Sequence, residues 1–419
     1  MSTRPAVRAV PATPGTRTWP LYVGGFLGPF GGAMVTPMLP ELRDGLHTTL
    51  TMAAWSLTAY MIPFAAIMLV SGTLAERWGR HRTVRIAYVA YAAASLLCAV
   101  APVTGLFLTG RGLQGAANAF TSPLLVAAIS ELVPPARLGR SLGTYGSMQA
   151  AGQAFAPLVG GAAAALNFRL AFVASMVAAL ALALVPPPDL RPHDEPTAGT
   201  GGTGGTGGAG GAGGASRWRA LLNRRLAVAC GIAFFLYLAT SGLMLLVALF
   251  AGDRFGLGPD ARGLVVAAFG LAGLLGGAAL GRLADRLGLA RFGITALLVL
   301  AGAIALAGGS GAVAVLVALT ALSGAASTGG RLVVNALAVT STPGNRGGAT
   351  SIALSWQFLG SALAPLILLP VYRSGASTGF LSAAVASVAG AAVLAAAPLL
   401  AGTRGADSGK GRVAGRQTR

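Results

Sequence analysis

Twelve runs of about 20 mostly apolar residues, each long enough to cross a bilayer as one helix, take up most of this chain. They lie near residues 20–40, 52–74, 84–103, 105–130, 140–163 and 168–187, and again near 224–251, 263–281, 292–309, 312–338, 347–371 and 377–401. Inside hydrocarbon there is no water to pair with peptide groups, so runs of this length span as helices, which satisfy their own backbones. Of the 419 residues, 54% are hydrophobic and 10% charged, against about 25% charged in soluble domains. Mean hydropathy is +0.72. A net charge of +19 invites a nucleic-acid reading, but a nucleic-acid binder gathers its cations on one water-facing surface. Here they punctuate apolar runs, which excludes that partner and leaves the lipid bilayer. Cys98 and Cys230 lie inside apolar stretches without partner spacing and read as buried structural thiols.

The runs fall into two sets of six, divided by PPPDLRPHDEP and then by GTGGTGGTGGAGGAGGAS, which has no side chains to build a core and reads as a flexible tether. The expected division is a cytoplasmic N-terminal segment 1–19, a six-helix half 20–187, a Gly-rich cytoplasmic linker 188–222, a second six-helix half 223–401 and a disordered basic cytoplasmic tail 402–419. Residues 202–207 satisfy G-x-G-x-x-G literally, but no strand precedes them and no helix opens at the third glycine, so they make no dinucleotide site. Cytoplasmic loops keep Lys and Arg. With the N-terminus inside, inner segments hold 23 of the 30 cations and outer loops five; Arg111 and Arg331 lie within spans. The expectation is a multi-pass plasma-membrane protein with both termini cytoplasmic.

The turn after span two, GTLAERWGRHR at 72–82, recurs as GRLADRLGLAR at 281–291. At this offset of 209, Gly72 meets Gly281, Glu76 meets Asp285, Arg77 meets Arg286 and Gly79 meets Gly288. Gly115 likewise meets Gly324, Pro134 meets Pro343 and Arg137 meets Arg346. Charge anchoring alone needs no such register. Two parallel copies packed about an axis along the membrane normal leave a site between them near the midplane. The fold class expected is therefore an all-α integral membrane protein of twelve transmembrane helices in two six-helix pseudo-symmetric halves.

These residues carry a family resemblance. Gly72, Leu74, Glu76, Arg77, Gly79, Arg80 and Arg82 resemble the signature loop of the major facilitator superfamily, with Glu76 in place of the usual Asp. RGLQG at 111–115 resembles its second motif. GQAFAPLVGG, with Gly152, Pro157, Gly160 and Gly161, resembles the motif of its antiporter branch, with Ala156 in place of a usual Gly. The resemblance implies a twelve-span drug:proton antiporter of the multidrug-efflux type, working by alternating access without a cofactor.

Chemistry gives the motifs roles. Glu76 and Asp285 at span ends, beside Arg77, Arg80, Arg82 and Arg286, suit a charge-paired latch on the inner face. Glycines let helices approach closely, and Pro157 removes a backbone bond, so span five should be bent and tightly packed. Arg111, Gln114, Asn118 and Ser122 form a polar stripe on span four, and the offset carries it to Thr320, Ser323, Ser327 and Arg331. Intramembrane cations face a cavity or the protein interior, either binding substrate or bracing helix carbonyls. Arg111, Gln114, Asn118, Gln153, Arg331, Gln357 and Tyr60 are the expected substrate-binding residues. All eleven acids fall at span ends, in loops or in the tail, which leaves Glu41, Asp44 and Glu131 as proton-coupling candidates. A cavity with two arginines and no acid suits neutral or anionic amphipathic small molecules.

An enzyme is not expected: H-E-x-x-H and G-x-S-x-G are absent and His47, His81 and His193 lie in loops. GADSGKG in the tail lacks the spacing and the hydroxyl residue of a phosphate loop. The function expected is a monomeric secondary active exporter of drugs or natural products coupled to protons. The alternatives are a facilitator or importer of a neutral or anionic metabolite, and a non-transporting membrane receptor.

Overall fold

The computed structural model describes residues 18–185, 223–342 and 346–397. The expected linker 188–222 and tail 402–419, and residues 1–17, lie outside the described residues. Among the described residues the chain is helical and contains no strand. The first set of helices is α1 (Trp19–Ala33), α2 (Leu39–Gly45), α3 (Leu50–Trp78), α4 (Arg80–Val100), α5 (Thr104–Asn118), α6 (Ser122–Leu132), α7 (Pro135–Leu166) and α8 (Arg169–Leu184). The second is α9 (Arg224–Phe255), α10 (Pro259–Leu287), α11 (Leu289–Ala307), α12 (Val313–Ser341), α13 (Arg346–Ser374) and α14 (Ala376–Ala395).

Eight helices, α3, α4 and α9 to α14, are long and apolar enough to cross a membrane unbroken. The other four expected spans are the apolar but short α8, the long and more polar α7, and two that the structure breaks. Spans one and four, expected to run continuously over 20–40 and 105–130, are interrupted at 34–38 and 119–121. Prolines stand at both breaks, Pro37 inside the first and Pro40 and Pro123 in the first turn of the helices that follow, each lacking the N–H that would continue the preceding helix. A 3-10 turn, Thr36–Met38, fills the first break. At the second, the Thr121 hydroxyl donates to the Asn118 carbonyl at 2.8 Å.

The repeat is visible in backbone geometry. Gly79 (φ 84°) joins α3 to α4, and Gly288 (φ 78°) joins α10 to α11, in a left-handed conformation that residues with a Cβ avoid. Gly115 packs on the Tyr60 carbonyl and Gly324 on the Phe269 carbonyl so closely that a Cβ at either would strike backbone. Residues 60 and 269 are themselves 209 apart. Each half thus seats its fourth span on its second through a glycine. In lipid, where hydrocarbon is as apolar as leucine, such close packing rather than the hydrophobic effect holds helices together.

The halves meet along two seams, α3 on α13 and α7 on α10. Among the described residues, contacts between them gather in the middle and at the end opposite the glycine turns, the far end. Phe64 meets Phe358 edge-on at 4.3 Å between centroids, and the Thr58 hydroxyl donates to the Ala362 carbonyl at 2.7 Å. Toward the far end, Gly161 lies against Pro259 and Gly263, and Gly263 lies against the Pro157 carbonyl.

Candidate functional site

The polar residues expected to share one substrate site divide into two groups. The first lies wholly within the N-terminal half. Arg111 is 0% exposed, as is Gln114. The Arg111 Nη1 donates to the Gly31 carbonyl at 3.1 Å and to Gln114 Oε1 at 2.7 Å, and its Nε reaches the Ser56 carbonyl at 3.4 Å. Its guanidinium stands 4.5 Å over the Tyr60 ring. Gln114 Nε2 donates to the Ser95 hydroxyl at 2.7 Å, and Asn118 Nδ2 to the Tyr60 hydroxyl at 2.9 Å. The Tyr60 hydroxyl in turn donates to the Gly28 carbonyl at 3.2 Å.

This network gives the buried guanidinium carbonyl and amide acceptors in place of a carboxylate, while its Nη2 is buried without a partner. Gly31 sits in the last turn of α1, where carbonyls have no helical donor and carry the negative end of the helix dipole. The break in span one creates that helix end, and Arg111 covers it. Arg111, Gln114, Asn118 and Tyr60, expected on the substrate cavity, are therefore enclosed between α1, α3, α4 and α5. Ser122, expected on the same stripe, begins the next helix beyond the break. Ser95 and the Gly31 carbonyl were not foreseen as members, because a lone serine and a glycine carry no polar pattern.

The second group lies between the halves. Arg331 on α12 is partly buried, and its Nη1 donates across to Gln153 Oε1 on α7 at 3.4 Å. Tyr237 on α9 neighbours both Gln357 on α13 and Arg331. Phe234 and Trp356 pack at 6.1 Å alongside, and the Ser241 and Ser361 hydroxyls share a 2.7 Å hydrogen bond deeper along the same helices. One cation, two amides and aromatic faces here come from four helices of both halves.

The span-five motif works at helix seams. Gly152 packs on the Phe26 carbonyl and Gly160 on the Met34 carbonyl, both on span one, whereas Gly161 faces α10 of the other half. Pro157 lies inside α7 without ending it. Beyond these contacts, Arg262 Nη2 on α10 is ion-paired with Glu41 Oε1 on α2. This is the one ion pair between the halves among the described residues; 221 positions separate its partners, and the repeat does not relate them.

At the opposite end, Arg82, Asp285 and Arg286 are exposed to solvent. The Thr83 hydroxyl donates to the Gly79 carbonyl at 2.9 Å, which secures the turn. The side chains of Glu76, Arg77 and Arg80, and the surroundings of Gly72, lie outside the described residues, and with them the pairing expected of that latch. A lateral groove of about 610 Å³, walled by Trp78, Ile86, Leu113 and Phe120, opens on the outer flank of the N-terminal half, away from the seam between halves.

The sequence profile of the Major Facilitator Superfamily matches residues 21–259 and 229–415. Among curated relatives, the puromycin resistance protein of Streptomyces alboniger is 30% identical over 172 residues, 38% of this chain and 34% of that protein. The probable actinorhodin transporter of Streptomyces coelicolor is 29% identical over 130 residues, 31% of this chain and 22% of that protein. A multidrug resistance protein B homolog of Mycobacterium tuberculosis is 32% identical over 152 residues, covering 36% of this chain and 28% of its own. The matched stretch thus spans about a third or less of these relatives' length. A D-xylose–proton symporter structure superposes with a TM-score of 0.69 at 18% identity, covering 90% of this chain and 96% of its own. A POT family transporter, solved with a thioalcohol-conjugated peptide, gives 0.71 at 12% identity, covering 90% and 95%. At these identities the two structures speak for the fold alone.

Proposed function

The chain belongs to the Major Facilitator Superfamily, and on that premise we propose that it is a non-enzymatic secondary transporter that exports amphipathic small molecules by alternating access, driven by protons. The observation that carries this reading is the arrangement of the seam. The far end is fastened across the halves by Glu41 with Arg262 and by the glycine contacts of α7 with α10, while Arg331, Gln153 and Gln357 stand between the halves nearer the middle. A site between two bodies joined at one end is what alternating access requires. The glycine-turn end is the cytoplasmic one in this proposal, because the inner segments carry 23 of 30 cations.

Relatives named for puromycin resistance, actinorhodin transport and multidrug resistance support an export direction and a natural-product-like substrate. The substrate contacts proposed are Arg331, Gln153, Gln357 and Tyr237, with Phe234 and Trp356 supplying apolar surface. A guanidinium without a carboxylate opposite favours neutral or anionic compounds. The inner latch of Glu76 and Asp285 with their arginines belongs to the same proposal, as do a monomeric state and a plasma-membrane location with cytoplasmic termini.

The test is accumulation of puromycin and chloramphenicol in a susceptible host expressing the full chain, with and without a protonophore. Lowered accumulation that the protonophore abolishes is the expected result. Equal accumulation with and without the protein, for both compounds, refutes export.

A further inference from the structure

We infer that Glu41 is a proton-binding site at the far mouth, and that its ion pair with Arg262 is a latch that protons from that side open. The inference rests on the alternating-access reading above. Arg262 is only 4% exposed, and the Glu41 side chain 26%. One oxygen of Glu41 meets Arg262, while its Oε2 and the Arg262 Nε are buried with no partner. The pair is thus held in the seam with part of its hydrogen-bonding capacity unused; Arg43 on the same helix is within electrostatic reach of Glu41 but is exposed and bonded to Asp44, so Arg262 depends on Glu41 as its carboxylate partner. Removing one member of such a pair strands the other, which is far more unfavourable than removing both.

The surrounding charges single out Glu41. On its own helix, Asp44 is exposed and bonded to Arg43 at 2.7 Å, and that bond holds the Asp44 carboxyl below its ordinary range. His47 follows in the exposed turn. From α9, Asp253 lies within electrostatic reach of Arg43 and accepts from the Tyr372 hydroxyl of α13 at 2.8 Å; Arg254 beside it is exposed. From α10, Asp260 is exposed. From the start of α8, Arg169 turns away to the Ala99 carbonyl at 2.6 Å. Every other acid at this mouth is exposed to solvent. Protonating any of them leaves the seam closed, whereas protonating Glu41 leaves Arg262 as an unpaired buried cation.

The direction follows. In the far-closed state Glu41 is the carboxylate partner seated against the buried Arg262 guanidinium. A proton taken up on Glu41 therefore favours the state in which the mouth opens and Arg262 is hydrated. External acidity would bias the transporter toward facing outward, and reclosure would require that the proton leave.

The test uses the full chain in liposomes with spin labels at Val103→Cys and Ala312→Cys, exposed far-end positions on opposite halves. The native Cys98 and Cys230 are buried and stay unlabelled. Double electron–electron resonance is recorded as pH falls from about 8 to about 4, a range that brackets ordinary carboxylate titration. The wild-type chain should shift from short to long separations. Glu41→Gln should raise the long-separation population at pH 8 by about tenfold and abolish the pH response. Glu41→Gln combined with Arg262→Met should return to the short separation and stay there at every pH. A Glu41→Gln chain that is closed at pH 8, or that keeps the wild-type pH response, overturns the inference, as does a double variant as open as the single one. Puromycin and chloramphenicol flux in the same liposomes separates the two claims. Flux with pH-independent distances overturns the latch alone, and pH-gated opening without flux of either compound overturns the exporter reading alone.

Discussion

Replacing Arg111 by Ala distinguishes a bracing cation from a substrate-binding one. The substitution removes three charge-assisted hydrogen bonds, to Gln114 Oε1 at 2.7 Å, the Gly31 carbonyl at 3.1 Å and, at the long limit, the Ser56 carbonyl at 3.4 Å, the shorter two worth about 1.5–3 kcal/mol each. It also removes the guanidinium 4.5 Å from the Tyr60 ring centroid, about 2 kcal/mol when desolvated. Against this stands the several kcal/mol spent on keeping a fully buried cation dry, which is recovered on substitution. The Gly31 carbonyl and Gln114 are then left facing a void, at about 1–3 kcal/mol for an unpaired buried group. Breaking a buried polar network by removing its charged member costs about 3 kcal/mol at the lower end of the usual range, and at about 2 °C per kcal/mol for a chain of this size the unfolding midpoint falls by roughly 6 °C. Arg331→Ala removes one 3.4 Å contact from a partly buried side chain and should shift the midpoint by about 2 °C or less, while changing substrate flux. Thermal unfolding in detergent and flux in liposomes measure both variants. An Arg111→Ala protein that melts with the wild type yet fails to transport would show that this cation serves the substrate and not the fold.

Gly115→Val and Gly324→Val should lower the yield of folded, monodisperse protein to a similar degree, since each drives a side chain into the backbone carbonyl of the second span in its half; a well-folded Gly324→Val protein contradicts the equivalence of the halves. Reporter fusions at Gly205 and at Gly402 should both read as cytoplasmic, and proteolysis of either site from outside intact cells contradicts the orientation. Expression should raise the minimum inhibitory concentration of chloramphenicol several-fold more than that of ethidium, because Arg331 repels a permanent cation. Protection against ethidium alone would mean that the charge of the cleft has been misassigned.

The contrast between what was legible in the chain and what was not has a physical origin. Twelve spans and the 209-residue repeat were readable because membrane helices leave long apolar runs and because close approach or a left-handed turn admits little but glycine, as at Gly79, Gly288, Gly115 and Gly324. The breaks at 34–38 and 119–121 had prolines as their signal, outweighed by apolar runs that continued across them. For Arg111 the sequence leaves two readings open, substrate binding and bracing of helix carbonyls; the structure has it on a helix-end carbonyl, and that helix end exists only through the break in span one. The seam between halves is harder still. Glu41 would map by the repeat onto Phe250, and Arg262 back onto Ala53, so neither member of the latch has a counterpart in its sister half. Duplication supplies two equivalent bodies, but a mouth that opens under one condition and closes under another needs complementary, unlike groups on its two lips. Those groups must depart from the repeat, which places the residues that gate the protein among those its internal symmetry does not predict.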